Sequence, residues 1–347
     1  MAKVKWGVIG AGGIADRRTI PEGIVPAKNA ELVAVMDVVP AVAKKIGKKY
    51  EVPFYTKEAD LLKHPGIDAV YIATPAYLHA KQVLTAAEKG KHILCEKPLA
   101  LNVADCKKAI AACAKKKVKL GVDFMMRFNA MNTNFRRMVS KGELGTPVLA
   151  RAQLSCWYPP IKGAWRQDLK KGGGGSLIDM GCHCIDLLEY IFDSKVKEMS
   201  CMTGRLVQKY PVEDSSVMMV RFSNGAIGVV DAYFSIPDNS SMNILELYGS
   251  KGSIIAKGTI GQGPDGEATA YLEKSTKGYD AQQARSSSSK KNLAVKGANT
   301  YLSQIEGFSK AVLTGKPLPI PGEDGLWSQR LMLAAYASAK SGKVVKP

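Results

Sequence analysis

A chain of 347 residues, 46% hydrophobic and with seven scattered cysteines, is typical of a two-domain globular protein rather than of a small disulfide-stapled one. The net charge of +18 does not indicate nucleic-acid binding, because the lysines stand in short groups without interleaved aromatics or a DNA-binding signature. No run of about 18 apolar residues is present, and the start of the chain lacks a signal-peptide pattern. We therefore expect a cytoplasmic protein that binds neither nucleic acid nor a membrane.

The first third of the chain alternates between strand and helix patterns. The alternation predicts a mostly parallel sheet with helices on both faces. It stops near Asp123, so we predict one domain over 1–122 and a second over 123–347. The strand patterns are VKWGVIG, ELVAVMDV, DAVYIAT, HILCEKP and VKLGVDF, and the helix patterns are PAVAKKIGKKY, LHAKQVLTAAEKG and NVADCKKAIAACAKKK.

From Val148 onward the strand patterns are longer and alternate with polar residues. They predict a large open, mostly antiparallel sheet with a few helices, in which SNG and GSKGS form turns. A polar, serine-rich loop at 274–299 interrupts it, and a final helix runs from about Asp324 to Lys340. An open sheet usually buries its uncovered face against another subunit, so we expect a homodimer or homotetramer.

The first strand pattern ends in GAGGIA, which fits G-x-G-x-x-A with Gly10, Gly12 and Ala15. In this strand-to-helix context the fingerprint predicts a pyrophosphate at the helix N-terminus, with Gly13 and Ile14 completing the loop. A glycine turn without a ligand is the alternative.

Asp37 ends the next strand pattern, about 20 residues further on. Its carboxylate suits the adenosine ribose hydroxyls and would repel a 2′-phosphate, and residues 38–40 supply no arginine. We therefore predict NAD rather than NADP as the cofactor. The alternative role for Asp37 is that of a helix cap or turn residue.

Two further stretches carry side chains suited to catalysis. CEKPLA ends a strand, so Lys97 can point into a cleft, although a surface lysine is the alternative. In GGGGSLIDMGCHCIDLL, Asp179 and His183 are four residues apart on a predicted helix, with Asp186 near the same face. A proton-transfer pair, a metal site that includes a cysteine, and a helix N-terminus are the three interpretations.

The chain resembles the Gfo/Idh/MocA oxidoreductases over essentially its full length, through GVIGAGGIA, TPAYLHA, CEKPLA and GGGGSLIDMGCHCIDLL in the family's order. The resemblance implies an N-terminal Rossmann NAD-binding domain and a C-terminal α/β domain for substrate binding and oligomerisation. It implies that Lys97, Asp179 and His183 are catalytic, with His183 as the acid/base. It also implies a cofactor cleft lined by Thr74, Pro75 and Glu96. We add His79 and Lys97 to the predicted cofactor residues, with a structural residue at the helix start as the alternative for His79.

Other predicted site residues have less support from the sequence. Arg166 is predicted to contact the cofactor, and the predicted substrate site combines Lys97, Asp179 and His183 with Arg127, Asn129, Tyr158 and Trp165. Ordinary packing and a surface ion pair are the alternative for Trp165 and Arg166. No metal is predicted.

The expected function is NAD-dependent oxidation of a secondary hydroxyl of a sugar, glycoside or cyclitol, with a glucose-like pyranose oxidised at C3 as the favoured case. The alternatives are a redox-neutral glycoside-processing enzyme with tightly bound NAD and a non-catalytic NAD-binding regulator.

Overall fold

The computed structural model describes residues 2–263, 266–273, 281–282, 289–297 and 299–347. The chain forms two compact units. Unit 1 comprises the residues up to Met125 together with Lys170–Gly173 and Asn299–Arg330, and unit 2 comprises the rest. Within the described ranges, no helix is both long and apolar enough to cross a membrane.

Unit 1 is built on a parallel sheet in the order β3-β2-β1-β4-β5-β6. This order has a switch point between β1 and β4, beside which dinucleotides bind in Rossmann folds. The strands are β1 (Val4–Ile9), β2 (Ala30–Met36), β3 (Phe54–Tyr55), β4 (Ala69–Ile72), β5 (His92–Glu96) and β6 (Leu120–Asp123).

Helices cover this sheet, as the alternating pattern predicts. The first has π-type hydrogen bonding, and the helix Pro40–Tyr50 coincides with the predicted PAVAKKIGKKY segment. The helices of unit 1 are Ala15–Ile24, Pro40–Tyr50, Glu58–Leu61, Ala76–Glu88, Val103–Lys115 and Thr300–Thr314.

The segment 299–330 belongs to unit 1, whereas the predicted boundary at 122/123 assigns it to the second domain. Its helix joins the core of the first sheet, where the Phe308 ring lies 5.1 Å from that of Trp6. Trp6 Nε1 also donates to Ser309 Oγ at 3.2 Å. Local patterns do not reveal that a late helix returns to an early strand.

Unit 2 contains an eight-stranded sheet in the order β14-β13-β12-β11-β7-β10-β9-β8. Among the described strands of this second sheet, only β7 and β10 pair in parallel, so the prediction of a mostly antiparallel sheet is confirmed. The strands are β7 (Pro147–Ser155), β8 (Val196–Gly204), β9 (Ser215–Phe222), β10 (Ile227–Tyr233), β11 (Ile244–Gly249), β12 (Gly252–Lys257), β13 (Glu267–Leu272) and β14 (Ser289–Leu293).

Part of the predicted loop at 274–299 forms β14, and most of the remainder lies outside the described residues. The predicted final helix is Gly322–Ser341, which runs from unit 1 into unit 2. The other helices and single turns are Met125–Phe128, Ala130–Ser140, Trp165–Gln167, Leu169–Gly172, Leu177–Gly181, Cys182–Phe192 and Asp238–Ser240.

The two faces of the second sheet differ in burial. Along β9, Met218, Val220 and Phe222 are buried while Val217 and Met219 are exposed. This alternation places one side of the strand against the core of unit 2 and leaves the other side open.

Candidate active site in two parts

The loop after β1 has the geometry of a phosphate cradle. Gly10 has φ +85°, and a Cβ there would lie 2.9 Å from the Ala73 carbonyl carbon and oxygen, so the tight turn requires glycine. Gly13 has φ +56°, and a Cβ there would meet no atom within 4 Å, which leaves open space beside the loop. The helix Ala15–Ile24 begins directly afterwards. The loop therefore fits a bound pyrophosphate.

Asp37 follows β2 and is bound to this loop. Its Oδ2 accepts a hydrogen bond from the Gly12 backbone N–H at 3.1 Å, and its Oδ1 accepts one from Val39 N–H at 3.0 Å. The carboxylate is thus held at the edge of the sheet where an adenosine ribose binds in Rossmann folds. Arg17, which the sequence analysis missed, donates to the Gly13 carbonyl from the adjacent helix at 3.2 Å.

A buried polar cluster lies at the carboxyl ends of β4, β5 and β6. Thr19 donates to the Tyr71 hydroxyl at 3.0 Å, and Tyr71 donates to Glu96 Oε1 at 2.5 Å. Asp123 is directly opposite Glu96 in the sheet register. Burial, with the nearby Glu96 charge, raises the pKa of Asp123 well above its usual range. Sequence patterns missed Tyr71 and Asp123 because a buried polar residue in a strand resembles any other strand residue. They missed Thr19 because one buried polar residue does not alter the pattern of the helix Ala15–Ile24.

The predicted Lys97 directly follows Glu96, is half-buried, and is joined to Pro98 by a cis peptide bond. Pro75 precedes the helix Ala76–Glu88, and the Thr74 hydroxyl donates to Gln82 in that helix. Both loops lie at the edge of the sheet that binds ligands in open α/β folds.

In unit 2, the GGGGS segment is shaped by a buried glutamate. Glu213 Oε1 accepts hydrogen bonds from Gly175 N–H at 2.9 Å, Leu177 N–H at 3.0 Å and the Tyr336 hydroxyl at 2.8 Å. A Cβ on Gly174 would lie 1.8 Å from the Tyr336 hydroxyl, and one on Gly175 would lie 1.9 Å from the Glu213 carbonyl oxygen. These two glycines are therefore required by close packing at the start of the helix.

Asp179 and His183 lie on the helix that begins there. Residues 177–181 form a π-type turn that passes into the α-helix Cys182–Phe192. Between 174 and 189 all residues are buried except Asp179, Met180 and His183, which are partly exposed. π-type turns are frequent at functional sites, and here one places two polar side chains at the surface of an otherwise buried helix.

Arg166 connects a neighbouring loop to Asp179. Its Nε donates to Asp179 Oδ1 at 3.2 Å, and its guanidinium lies 4.2 Å from the centre of the Trp165 ring. Burial raises the pKa of Tyr158, while the charge of Arg166 acts to lower it. The structure thus groups four predicted site residues of unit 2: Tyr158, Trp165, Arg166 and Asp179.

Two other predicted substrate residues have structural contacts of their own. Arg127 forms a bidentate ion pair with Asp186, with Nε donating to Oδ2 at 2.8 Å. Asn129 is buried, and its Oδ1 accepts hydrogen bonds from Met131 N–H and Asn132 N–H at the start of the helix Ala130–Ser140. Substrate contact by Arg127 and Asn129 stays a prediction. Among the described residues, no cluster of three or more His, Cys, Asp or Glu side chains is arranged to hold a metal ion.

Comparison with known proteins identifies the family. Residues 4–124 match an oxidoreductase family with an NAD-binding Rossmann fold, and residues 133–255 match the GFO/IDH/MocA C-terminal domain. Myo-inositol 2-dehydrogenase from Thermotoga maritima is 30% identical over 343 residues, 97% of this chain and 96% of that protein. The chain belongs to the Gfo/Idh/MocA family. It is an NAD-dependent oxidoreductase, as the sequence predicts.

Other Gfo/Idh/MocA members match over nearly the whole length. A 1,5-anhydro-D-fructose reductase from Ensifer adhaerens is 29% identical over 99% of this chain and 98% of that protein. The solved structure of an aldose–aldose oxidoreductase from Caulobacter crescentus, complexed with glycerol, is 26% identical, with a TM-score of 0.88 over 99% of this chain and all of that one. A levoglucosan dehydrogenase solved with NADH and levoglucosan, at 22% identity and a TM-score of 0.85 over 99% of each chain, shares the fold.

Proposed function

We propose that this oxidoreductase oxidises a secondary hydroxyl of a sugar, glycoside or cyclitol. The observation that carries the proposal is the partly exposed Asp179–His183 pair on an otherwise buried helix of unit 2. Related proteins named for inositol and anhydrofructose support a polyhydroxylated substrate. A glucose-like pyranose oxidised at C3 is the favoured case.

Oxidation of such a hydroxyl requires loss of one proton and one hydride. NAD, when bound, accepts the hydride from the substrate carbon. The imidazole of His183 takes the hydroxyl proton as general base, because its side chain exchanges protons near neutral pH. The product is a ketone.

Lys97 and Asp179 have supporting roles in this proposal. The Lys97 ammonium group donates a hydrogen bond to the reacting oxygen and stabilises the negative charge that develops there. Asp179 accepts a hydrogen bond from a neighbouring hydroxyl, and its ion pair with Arg166 fixes the direction of the carboxylate. Arg166, Trp165 and Tyr158 supply further polar and aromatic contacts of the kind that sugars need.

The loops of unit 1 account for the preference for NAD. Gly10 makes the tight turn, Gly13 leaves open space for the pyrophosphate, and Asp37 binds the adenosine ribose hydroxyls. We place the reaction in the cytoplasm, where reducing conditions would maintain the thiols.

The test is a screen of sugars, glycosides and cyclitols with NAD, read by NADH absorbance and by the mass of the product. Formation of NADH together with a product lighter by two hydrogens supports the proposal. Turnover without net NADH supports a redox-neutral reaction with retained cofactor, a possibility that the similarity to an aldose–aldose oxidoreductase favours. NAD binding without turnover of any substrate contradicts the proposal and favours a regulator.

A further inference from the structure

His79 lies in the first turn of the helix Ala76–Glu88 and is 1% exposed. Its two ring nitrogens face two backbone carbonyl oxygens. Nδ1 is 2.8 Å from the Pro98 oxygen, and Nε2 is 2.8 Å from the Thr74 oxygen. One carbonyl belongs to the loop after β4 and the other to the loop after β5, directly beside Lys97.

A carbonyl oxygen can only accept a hydrogen bond. A neutral imidazole carries one N–H, so its other nitrogen would direct a lone pair at a carbonyl oxygen 2.8 Å away. The imidazolium carries two N–H groups and satisfies both contacts. We propose that His79 is a positioning residue, held as an imidazolium, that fixes Lys97 by joining the loops after β4 and β5. This inference rests on the role proposed above for Lys97.

Burial disfavours a charged ring, so the two carbonyl contacts must offset that cost. On the neighbouring strand and helix, burial raises the thiol pKa values of Cys95, Cys106 and Cys113, so these groups stay uncharged. Glu96 follows Cys95 in the strand and therefore faces the other side of the sheet, where Tyr71 donates to it. Burial likewise raises the pKa of Glu58, which lies against Gln82 of the same helix.

When the ring is an imidazolium, both contacts are charge-assisted hydrogen bonds, which are shorter and stronger than neutral ones. Each bond also fixes one loop, because backbone carbonyls move only with their chain. Thr74 is held a second time through its hydroxyl, which donates to Gln82. A change at His79 would therefore release the Lys97 loop more than the Thr74 loop.

The protonation state can be measured directly, because the chain has only four histidines. We would record nitrogen NMR spectra of protein labelled at the histidine rings, at about pH 8, where an unperturbed histidine is neutral. The His64→Gln and His79→Gln variants assign the signals. The expected result is a doubly protonated ring that disappears in His79→Gln. A His79 ring with one N–H under these conditions overturns the imidazolium assignment.

The positioning role is tested by separating kcat from binding. His79→Gln should lower kcat by about 10- to 100-fold, the cost typical of a misplaced catalytic group. Binding of ADP-ribose should stay unchanged, because this probe uses the loop after β1 and Asp37. His64→Gln is the matched control, since His64 contacts Tyr55 at 2.9 Å, away from both loops, and should keep full activity.

Unchanged kcat in His79→Gln, or loss of ADP-ribose binding together with kcat, overturns the positioning role. The spectra and the ADP-ribose measurement need no turnover. If the dehydrogenase proposal alone is wrong, the unmodified protein will be inactive while its His79 ring is still doubly protonated.

Discussion

At the scale of single residues, burial separates the carboxyl groups at the strand ends of unit 1 into two kinds. Asp37 is partly exposed and accepts two backbone N–H bonds. Asp123 is 2% exposed, and burial favours its neutral form. The first suits recognition of a hydroxylated ligand, whereas the second suits a fixed, uncharged position in the core.

Asp37 should determine the choice of cofactor. We expect NAD to bind at least about tenfold more tightly than NADP, a difference of about 1.4 kcal/mol, because the carboxylate repels a 2′-phosphate. Asp37→Ser should narrow this ratio in calorimetric titrations. Asp60→Ser, at an exposed carboxylate near Lys63, should leave it unchanged. Equal affinity of the unmodified protein for both cofactors would contradict the assignment.

His183 should determine the rate of the chemical step. General acid–base catalysis contributes about 10²–10⁴-fold, so His183→Ala should lower kcat by that factor with little change in NAD affinity. Lys97→Ala should also be severe. If both groups act on one hydroxyl, the double variant will lose less than the product of the two single losses. Steady-state kinetics of the three variants beside His64→Ala provide the test.

The competing metal interpretation of His183 makes a different prediction, namely a divalent ion that is lost in His183→Ala and inactivation by chelators. Full activity of His183→Ala would contradict both interpretations. The pH profile adds a check, because acidification protonates the imidazole and should slow oxidation.

The residue types of the site were easier to predict than their contacts. Gly10 and Asp37 could be proposed as cofactor residues because a fingerprint has fixed spacing along the chain. The pairing of Arg127 with Asp186, 59 residues later, joins separate elements and leaves no local pattern. The same reason explains why Glu213 and Tyr336 were missed.

At the scale of elements, the start of the helix that carries Asp179 depends on Glu213. Folding raises the pKa of Glu213, chiefly through burial, from its ordinary value of 4.5. The resulting contribution to the free energy of unfolding is fully present below the pKa of Glu213 in the unfolded state. It is lost as pH rises through the pKa of Glu213 in the folded state. The charged form of Glu213 therefore weakens the fold of unit 2 at neutral pH.

Glu213→Gln should remove this pH dependence, because the amide keeps an accepting oxygen but carries no charge. Glu213→Ala should cost about 1–3 kcal/mol, since Gly175 N–H and Leu177 N–H lose their acceptor. Urea unfolding from about pH 4 to about pH 8 measures both the pH dependence and the free-energy cost. Glu143→Gln, at a partly exposed ion pair with Arg137, is the control. If the stability of Glu213→Gln decreases with rising pH as much as that of the unmodified protein, Glu213 is not the origin of the pH dependence.

Element prediction succeeded where periodicity was strong. The segment PAVAKKIGKKY is the helix Pro40–Tyr50, and most strands coincide with apolar or alternating runs, whereas β14 lies in the predicted polar loop. The two-residue strand β3 is too short to show a period, and β8 begins within a polar sequence. The π-type turn before His183 was missed because α and π turns share the same local residue preferences.

At the scale of the whole molecule, the open face of the second sheet predicts self-association. Met202 is 79% exposed, Met219 56% and Ile227 41%, and register places them on neighbouring strands of that face. Grouped exposed apolar side chains are typical of an interface, and the ion pair of Arg221 with Glu198 lies on the same face beside Ile227. We propose that a second copy of the chain covers them, giving a homodimer or a homotetramer.

Met219→Glu should therefore weaken the assembly, because a carboxylate that becomes buried in the interface loses its hydration. Light scattering coupled to gel filtration should show a shift from two or four chains toward one, increasing as the protein is diluted. Leu313→Glu is the matched control, since Leu313 is 43% exposed on a helix of unit 1, and its assembly should stay intact. Monomeric unmodified protein, or Met219→Glu that keeps the full assembly, would contradict the interface. Activity measured on the same samples then shows whether the site in each chain works without its neighbour.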